Sequence, residues 1–414
     1  MNPTSLTRHY EQMLSLKSPW HVEEVAMDLE KLKVTIRIVH KAGTPLLCPE
    51  CAKVCPGYDH AQPRRWRHLD SMQFQTILEC EVPRCSCPEH GVRVVDVPWA
   101  GDGDRFTLMF AAFAIQVMLS CRSVAKAAKL LRLDWKAVQR LMERAVEHGL
   151  AERDLTGLRV ACMDEKKVGC KVGFASVLSD GETGHVIDLQ PGRRQIEAEA
   201  CWDSVPKEVA QAVECGVTDM SASYKAALRV KAPNADLVID KFHVAALMNK
   251  AVDETRRLEQ SELADMGILG LKRTRFLWLQ DPNQFTLRQE SRFNEAFARA
   301  KRTGRAWLLK ESLADWWHCP DILSAAQYFS SWFQKAVRCQ IKPVVRTARS
   351  LKTHLQEILN YFQHRVTNAG AEGLNSLIAS LQYTARGFRK FANLRVAVLF
   401  YHGGLSLSPV KYPF

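Results

Sequence analysis

Polar and apolar positions along the 414-residue chain change rhythm several times. In the first hundred residues apolar side chains recur at alternate positions: Val25, Met27 and Leu29, then Val34, Ile36 and Ile38. That is the period of half-buried strands and predicts a small β-rich unit. From Arg105 to Leu150 the spacing turns helical. Phe106 to Leu119 is nearly all apolar and reads as a buried support helix. Ser123 is placed to cap a helix over 124–131 that carries Val124, Ala127, Ala128 and Leu131 on one face. After the short turn Arg132-Leu133-Asp134, Asp134 caps a third helix reaching about Glu147. Trp135, Val138, Leu141 and Met142 are expected to face inward there, and Lys136, Gln139, Arg140 and Glu143 outward. Between Leu158 and Asp240, five short apolar runs (158–163, 172–178, 186–189, 214–218 and 237–239) read as strands with helices interleaved. Residues 244–366 are helical and rich in Arg and Lys, and the tail from 367 holds a helix, a basic turn and a final helix.

Composition narrows the class. Hydrophobic residues make up 47% and charged residues 25%, the balance of a folded protein rather than a disordered one. No run approaches the ~18 consecutive apolar residues of a membrane span. Met1 to Lys17 has mixed charges and no apolar core, unlike a secretory signal. Thirteen cysteines are too sparse for a disulfide scaffold and fit a reducing compartment with one metal site, so a cytoplasmic, nucleoid-associated location is expected. Against 45 Asp and Glu stand 57 Lys and Arg, a net charge of +12, which favours an anionic partner, nucleic acid first.

Three constellations carry candidate chemistry. Cys48-Pro-Glu-Cys51 is followed, after a spacer, by Cys85-Ser-Cys87-Pro-Glu-His90. A C-x-x-C turn presents two zinc ligands, and Cys87-x-x-His90 repeats its form, so Cys48, Cys51, Cys87 and His90 are the expected tetrahedron of a structural zinc, with Cys85 the competing ligand. Buried cysteines beside a surface histidine are the plainer alternative. Arg64, Arg65, Arg67 and His68 form a basic edge between the knuckles. The second constellation is the helix pair at 124–147, whose tight turn and outward Lys136, Gln139 and Arg140 fit a helix-turn-helix reading a DNA major groove. The third is acidic. Asp164 and Asp219 stand at the ends of the first and fourth expected strands, which neighbour each other in an RNase H-like sheet of three hairpin-like strands followed by alternating helix and strand. Paired aspartates are suited to hard Mg²⁺ ions. In the tail helix Leu374, Leu377, Ile378 and Leu381 share one face, while Asn368, Glu372 and Asn375 share the opposite one. Taken singly, a strand-end Asp is a turn cap and a helix Glu is solvated.

Taken together these strings resemble a known family. Met-Asp164-Glu, Thr-Asp219-Met-Ser with Tyr224 behind it, Asp240-Lys-Phe-His243-Val, Thr-Asn368-Ala-Gly-Ala-Glu372-Gly-Leu-Asn375-Ser and Ala-Arg386-Gly-Phe-Arg389, preceded by the knuckles and Val97-Pro-Trp99-Ala, are similar to a DDE transposase of the ISL3 insertion-sequence family. The likeness runs over essentially the whole chain. It implies that Asp164, Asp219 and Glu372 bind two catalytic Mg²⁺ (or Mn²⁺) ions and that donor cleavage and strand transfer occur at one site. Asp240 and His243 match a family signature. The run Leu377-Ile-Ala-Ser380 is less basic than in many relatives. The implied fold class is multidomain α/β plus α: an RNase H-like catalytic sheet interrupted by a helical insertion and preceded by a zinc module and a helix-turn-helix. The expected divisions are 1–100 (zinc-binding, β-rich), 101–150 (helix-turn-helix), 151–243 (catalytic core, first part), 244–366 (insertion) and 367–414 (catalytic core, C-terminal part). Partners are double-stranded DNA, as terminal inverted repeats and target, and further copies of the chain as a homodimer or higher synaptic complex, with no membrane. Arg386, Arg389 and Lys390, just past the Glu372 helix, join Lys136, Gln139 and Arg140 as expected DNA contacts. A zinc and helix-turn-helix regulator without catalysis, or a catalytically silent domesticated transposase, is the alternative; an RNase H-like nuclease is a third reading. The regulator explains residues 1–150 and leaves the carboxylates at the strand ends without a role.

Overall fold

The computed structural model describes residues 5–409 except 102, 170, 268–270 and 367–368; the side chains of 369, 371 and 372 also lie outside the described set. The chain forms two compact units, Met1–Arg153 with Leu405–Phe414, and Asp154–Gly404. Among the described residues no helix is long and apolar enough to cross a membrane.

The first unit opens with a helix that the alternation did not suggest, α1 (Ser5–Met13), followed by the hairpin β1 (Trp20–Asp28) and β2 (Lys33–His40). Val34, Ile36 and Ile38 are fully buried, as their period requires. On β1 the pairing shifts between Val22 and Glu24, which turns Val22 inward and leaves Met27, near the strand end, half exposed. After β3 (Leu46–Leu47), β4 (Val54–Cys55) and β5 (Gly57–His60) come β6 (Arg64–Arg67) and β7 (Gln75–Cys80), then β8 (Pro83–Cys87) and β9 (Gly91–Val94). The larger sheet has the order β1-β2-β7-β6, with β2 and β7 parallel; β5-β8-β9 form a second sheet and β3-β4 a third.

Three helices complete this unit: α2 (Leu108–Cys121), α3 (Val124–Leu131) and α4 (Trp135–Ala151). Thr107, Ser123 and Asp134 cap them, each side chain accepting from a backbone N–H three residues on. Arg132, in the left-handed region at φ 53°, ends α3 and sends the chain into α4. Two expected orientations are corrected. Trp135 shares the angular position of the inward face but is the first residue of α4 and is 46% exposed. Gln139 flanks the apolar stripe of Val138, Met142 and Val146; it is buried and donates to Glu143 at 3.0 Å instead of facing solvent.

The second unit is built on β10 (Val160–Lys167), β11 (Phe174–Asp180), β12 (Val186–Pro191), β13 (Cys215–Thr218) and β14 (Asp236–Ile239), ordered β12-β11-β10-β13-β14. β12, β11 and β10 are antiparallel, and β10, β13 and β14 are parallel. These are the five expected runs, in place to within a few residues. Alternation divides their side chains between two cores. Ala161 and Met163 pack with Ala198, Trp202, Tyr224 and Leu228 around α5 (Gln195–Ala200), α6 (Lys207–Ala212) and α7 (Ala222–Lys231). Val160, Cys162, Cys215, Val217 and Val238 belong to the other core, shared with the helices that follow.

Those helices are α8 (Lys241–Asp265), α9 (Arg275–Leu279), α10 (Leu287–Arg299), α11 (Lys301–Ala314), α12 (Ile322–Arg338), α13 (Lys342–Thr353) and α14 (Leu355–His364). α8 starts directly after β14 and runs unbroken through 243–244, so sheet and helices share one core there. Trp278, Trp316 and Trp332 lie in it, and each indole N–H donates to an oxygen of the same core (Thr274 Oγ1, Ala325 O and Leu309 O). Several cations of this segment are engaged locally: Arg256 with Asp253, Arg302 with Glu262 and Arg346 with Glu254. The chain closes with α15 (Ala369–Thr384) and α16 (Phe391–His402), whose Arg395 donates to the buried Asp188 of β12 at 2.6 Å.

Ala300, at the start of α11, has no capping side chain; Glu259 of α8 serves instead. Its carboxylate accepts from the backbone N–H of Arg302 (2.9 Å), the N–H of Thr303 (2.7 Å) and Thr303 Oγ1 (2.6 Å). A negative group at a helix N-terminus satisfies orphan donors and meets the positive end of the dipole. Glu259→Ala should therefore lower stability by about 2–3 kcal/mol, as the two buried donors of Thr303 and the Arg302 N–H are left without their acceptor, and Glu259→Gln by less. Urea unfolding followed by tryptophan fluorescence checks this, because Trp278, Trp316 and Trp332 report on the same core.

Candidate functional site

β10 and β13 run side by side in parallel with Met163 opposite Thr218, so the next residues, Asp164 and Asp219, stand at the same level. Their faces follow from alternation: Asp164 continues the side of Val160 and Cys162, and Asp219 the side of Cys215 and Val217. Both carboxylates thus emerge on one face of the sheet, at the C-terminal ends of the parallel strands. One detail differs from expectation. β10 does not end at Asp164 but continues to Lys167, held by pairing with β11 through Lys167 and Phe174. Glu165, of opposite parity, lies 3.5 Å from Arg193, whose guanidinium covers the Phe174 ring.

Asp164 is half-buried, and burial pushes its carboxyl above the usual range; the nearby charge of Asp219 adds to the rise. Opposing it are the Glu165 backbone N–H, donating at 2.8 Å, the charge of His243, and the Asn375 amide. Clustered carboxylates predict such a rise. Asp219 accepts from the Ser221 backbone N–H at 2.8 Å, which fixes the turn leaving β13. His243 sits in the first turn of α8, its N–H bonded to the Asp240 carbonyl; Asp240 is buried at the N-cap, and its own N–H reaches Thr218 O. Tyr224 is buried behind the strands, receives a bond from Ser176 Oγ at 3.2 Å, and has its phenol pushed up by burial.

The helix expected to bring the third carboxylate is α15. The side chains of Asn368 and Glu372 lie outside the described residues, but the next turn is described. Asn375 donates its amide to Asp164 Oδ2 at 2.6 Å, and Lys166 Nζ donates to the Asn375 backbone carbonyl. Leu374, Ile378 and Leu381 are buried, whereas Leu377, at the rim of the stripe, is 42% exposed rather than in the core. The clasp by Lys166 went unnoticed in the sequence. Its only signal was its spacing, two residues beyond Asp164 and therefore on the same face. Past α15, Arg386 (φ 54°) and Gly387 (φ 89°) form a left-handed turn that leaves Arg386, Arg389 and Lys390 exposed.

In the first unit Cys48, Cys51, Cys87 and His90 converge, with ligand atoms all within 4.8 Å of one another. Cys51 Sγ is 3.7 Å from Cys87 Sγ, and His90 Nδ1 is 3.7 Å from Cys48 Sγ and 3.6 Å from Cys87 Sγ. With Zn–S of ~2.3 Å and Zn–N of ~2.0–2.1 Å, the edges of a tetrahedron are ~3.8 Å and ~3.6 Å, so the donor set fits zinc. His90 Nε2 faces Glu50 at 3.7 Å, the outer carboxylate that orients a ligating ring. Burial raises the Cys87 thiol, but the backbone N–H groups of Glu89 and His90 and the His90 ring outweigh it and hold the thiol down to about 6. Cys85 lies apart from this cluster, fully buried with its Sγ 4.0 Å from Leu47 O. The basic edge between the knuckles is only partly exposed: Arg67 is buried against Phe110, and burial pushes His68 down to about 4, leaving it neutral. On α4, Lys136 and Arg140 are exposed.

Comparison with known proteins agrees with this layout. Residues 44–90 match the zinc-finger of transposases IS204/IS1001/IS1096/IS1165, residues 95–146 the helix-turn-helix domain of transposase family ISL3, and residues 161–398 the transposase domain of that family. The transposase for insertion sequence element IS1001 of Bordetella parapertussis is 25% identical over 351 residues, covering 83% of this chain and 86% of that protein. The transposase for insertion sequence element IS1557 of Mycobacterium tuberculosis is 26% identical over 384 residues, covering 86% of each. A regulator built only from the first unit is not favoured, since the longest match lies in the second. With the three modules in order, the chain belongs to the ISL3 family of insertion-sequence transposases and carries a DNA-binding helix-turn-helix.

Proposed function

We propose that this transposase excises and inserts its element by metal-dependent phosphoryl transfer on an RNase H-like sheet, with Asp164, Asp219 and Glu372 as ligands of two Mg²⁺ or Mn²⁺ ions. The observation that carries the reading is the emergence of Asp164 and Asp219 on one sheet face while α15, one turn past Glu372, is bonded to Asp164 through Asn375. Hard oxygen donors suit such ions. When bound, two divalent ions neutralise the charge of the transferring phosphoryl group and lower the pKa of an attacking hydroxyl or water. The chain's own groups position and balance charge. The Glu165 N–H and the Asn375 amide fix the two oxygens of Asp164, and the Ser221 N–H fixes Asp219. Lys166 ties α15 to β10. His243, in the first turn of α8, stands beside Asp164.

Other functions are divided along the chain. Residues 1–100 form the zinc module, with Cys48, Cys51, Cys87 and His90 as ligands. Residues 101–150 read the terminal inverted repeats, with Lys136 and Arg140 exposed for contact and Gln139 reaching DNA only by leaving Glu143. Residues 151–243 and 367–414 supply the catalytic groups, and 244–366 the helical support; Arg386, Arg389 and Lys390 contact DNA near the reacting phosphate. The active form is a homodimer or higher synaptic complex that also holds target DNA, working in the bacterial cytoplasm at the nucleoid.

The decisive substrate is a duplex bearing one element end, incubated with Mg²⁺ or Mn²⁺. Asp164→Asn, Asp219→Asn and Glu372→Gln should each slow cleavage by roughly 10²–10³-fold or more, the scale of losing one charge-stabilising group, while gel-shift affinity for the end is kept. Wild-type cleavage by Glu372→Gln would remove that residue from the triad. Metal analysis tests the other site. About one zinc per chain is expected; Cys51→Ser and Cys87→Ser should lose it, and Cys85→Ser should keep it. The reverse outcome for Cys85 and Cys87 would exchange their roles.

A further inference from the structure

A cavity of about 380 Å³ opens within the first unit between the β1-β2-β7-β6 sheet and α4. Six cations line it: Lys33 from β2, Arg65 and Arg67 from β6, Arg105 from the segment before α2, and Arg140 and Arg144 from α4. Three of them are neutralised nearby, Arg65 by Glu79, Arg67 by Asp70 and Arg144 by Asp104. Lys33, Arg105 and Arg140 make no ion pair among the described residues. The one lining carboxylate, Asp134, is occupied in capping α4 at 2.9 Å. Arg67 donates its backbone N–H to Arg105 O at 2.9 Å and accepts from the Thr107 N–H at 3.0 Å, which stitches β6 to the entry of α2. Arg132, in the turn of the helix pair, donates to Gln73 O and Asp70. Main-chain bonds thus join the sheet to α2, and charged bonds join it to the turn of the helix pair.

Like charges held together without counter-charge are costly unless an anion is to be received. We propose that this cavity binds the DNA phosphate backbone beside the groove occupied by α4, so that the zinc module and the helix-turn-helix read an element end as one composite surface. Lys33 and Arg105 hold phosphate on the sheet side, next to Arg140 of the DNA-reading helix. Beside the cations and the capping carboxylate the lining is apolar, Ile77, Phe106 and Leu141 among it; on this reading Lys33 and Arg105 meet phosphate oxygens and not base edges, so their contribution is independent of sequence. The inference rests on α4 being the DNA-reading helix.

The test uses full-length protein, wild type and the Lys33→Ala/Arg105→Ala double variant. Fluorescence anisotropy follows binding to two duplexes of equal length, one with the terminal repeat and one scrambled, across a range of salt concentrations. The double variant should bind both duplexes several-fold more weakly, by the same factor, and its log–log salt slope should be shallower by about 2, one for each phosphate no longer neutralised. Unchanged far-UV circular dichroism and zinc content establish that the module is still folded. Unchanged affinity and slope overturn the proposal, as does a weakening confined to the repeat duplex, which would make the cavity a base reader. Competition by millimolar inorganic phosphate that displaces neither duplex is expected; full displacement would assign the cavity to a free anion instead. If the wild type binds both duplexes equally, end recognition by α4 fails, while the slope difference still decides the cavity.

Discussion

The constraint on which the rest depends is the register between β10 and β13. Strand alternation gives each residue a fixed face, and parallel pairing gives neighbours a fixed level. With Met163 opposite Thr218, the two residues that follow must rise together on the same side. A one-residue slip would move Asp219 to the other face and place the Thr218 side chain where it stood. The register is protected on both sides of the sheet. Ala161 and Met163 are locked into the core around α5–α7, and Val160 and Cys162 into the core shared with α8–α14. The large helical segment thus does more than extend the chain: its tryptophan-rich core clamps the strands whose tips carry the acidic pair.

Gathering carboxylates in a half-buried place opposes folding, because burial and mutual repulsion both disfavour the charged forms. The neighbourhood of Asp164 shows how the cost is contained. Two donors hold its oxygens, a histidine lies near, and the lysine two residues on is turned to a backbone carbonyl of α15. These bonds also tie a helix from the end of the chain to a strand 211 positions away in sequence. On the proposed reading a pair so arranged is prepared for cations in advance, with little rearrangement left for their binding.

Much of this was legible in the sequence, and the failures have identifiable physical causes. The five strands of the second unit were visible because each is a short apolar run closed by a polar residue, and the helix caps because Ser123 and Asp134 are short acceptors before periodic apolar segments. α1 was missed because nine residues with two buried positions, Thr7 and Tyr10, leave almost no periodic trace. The orientations of Trp135, Gln139 and Leu377 were misjudged because periodicity gives an angle around a helix and not the reach of its neighbours. Trp135 has the right angle at the wrong end, and Gln139 is held inside by a bond to Glu143 that no pattern displays. The choice between Cys85 and Cys87 was open in the sequence, since both lie on the same face of β8. It is the turn to His90 that brings Cys87 to the other ligands.

Charge poses a last requirement. The net charge of +12 suits the protein to DNA, yet on the proposed reading the sheet edge that meets the scissile phosphate is acidic and by itself repels it. Attraction and chemistry must then be carried by different groups. Among the described residues, cations free of ion pairs include Lys33, Arg105 and Arg140 in the first unit and Arg386, Arg389 and Lys390 in the exposed turn of the second. On the proposed reading the metal ions reverse the sign of the acidic edge locally, so the phosphate is drawn in only where metal is bound, while affinity for the rest of the duplex is set by arginines and lysines that take no part in the reaction.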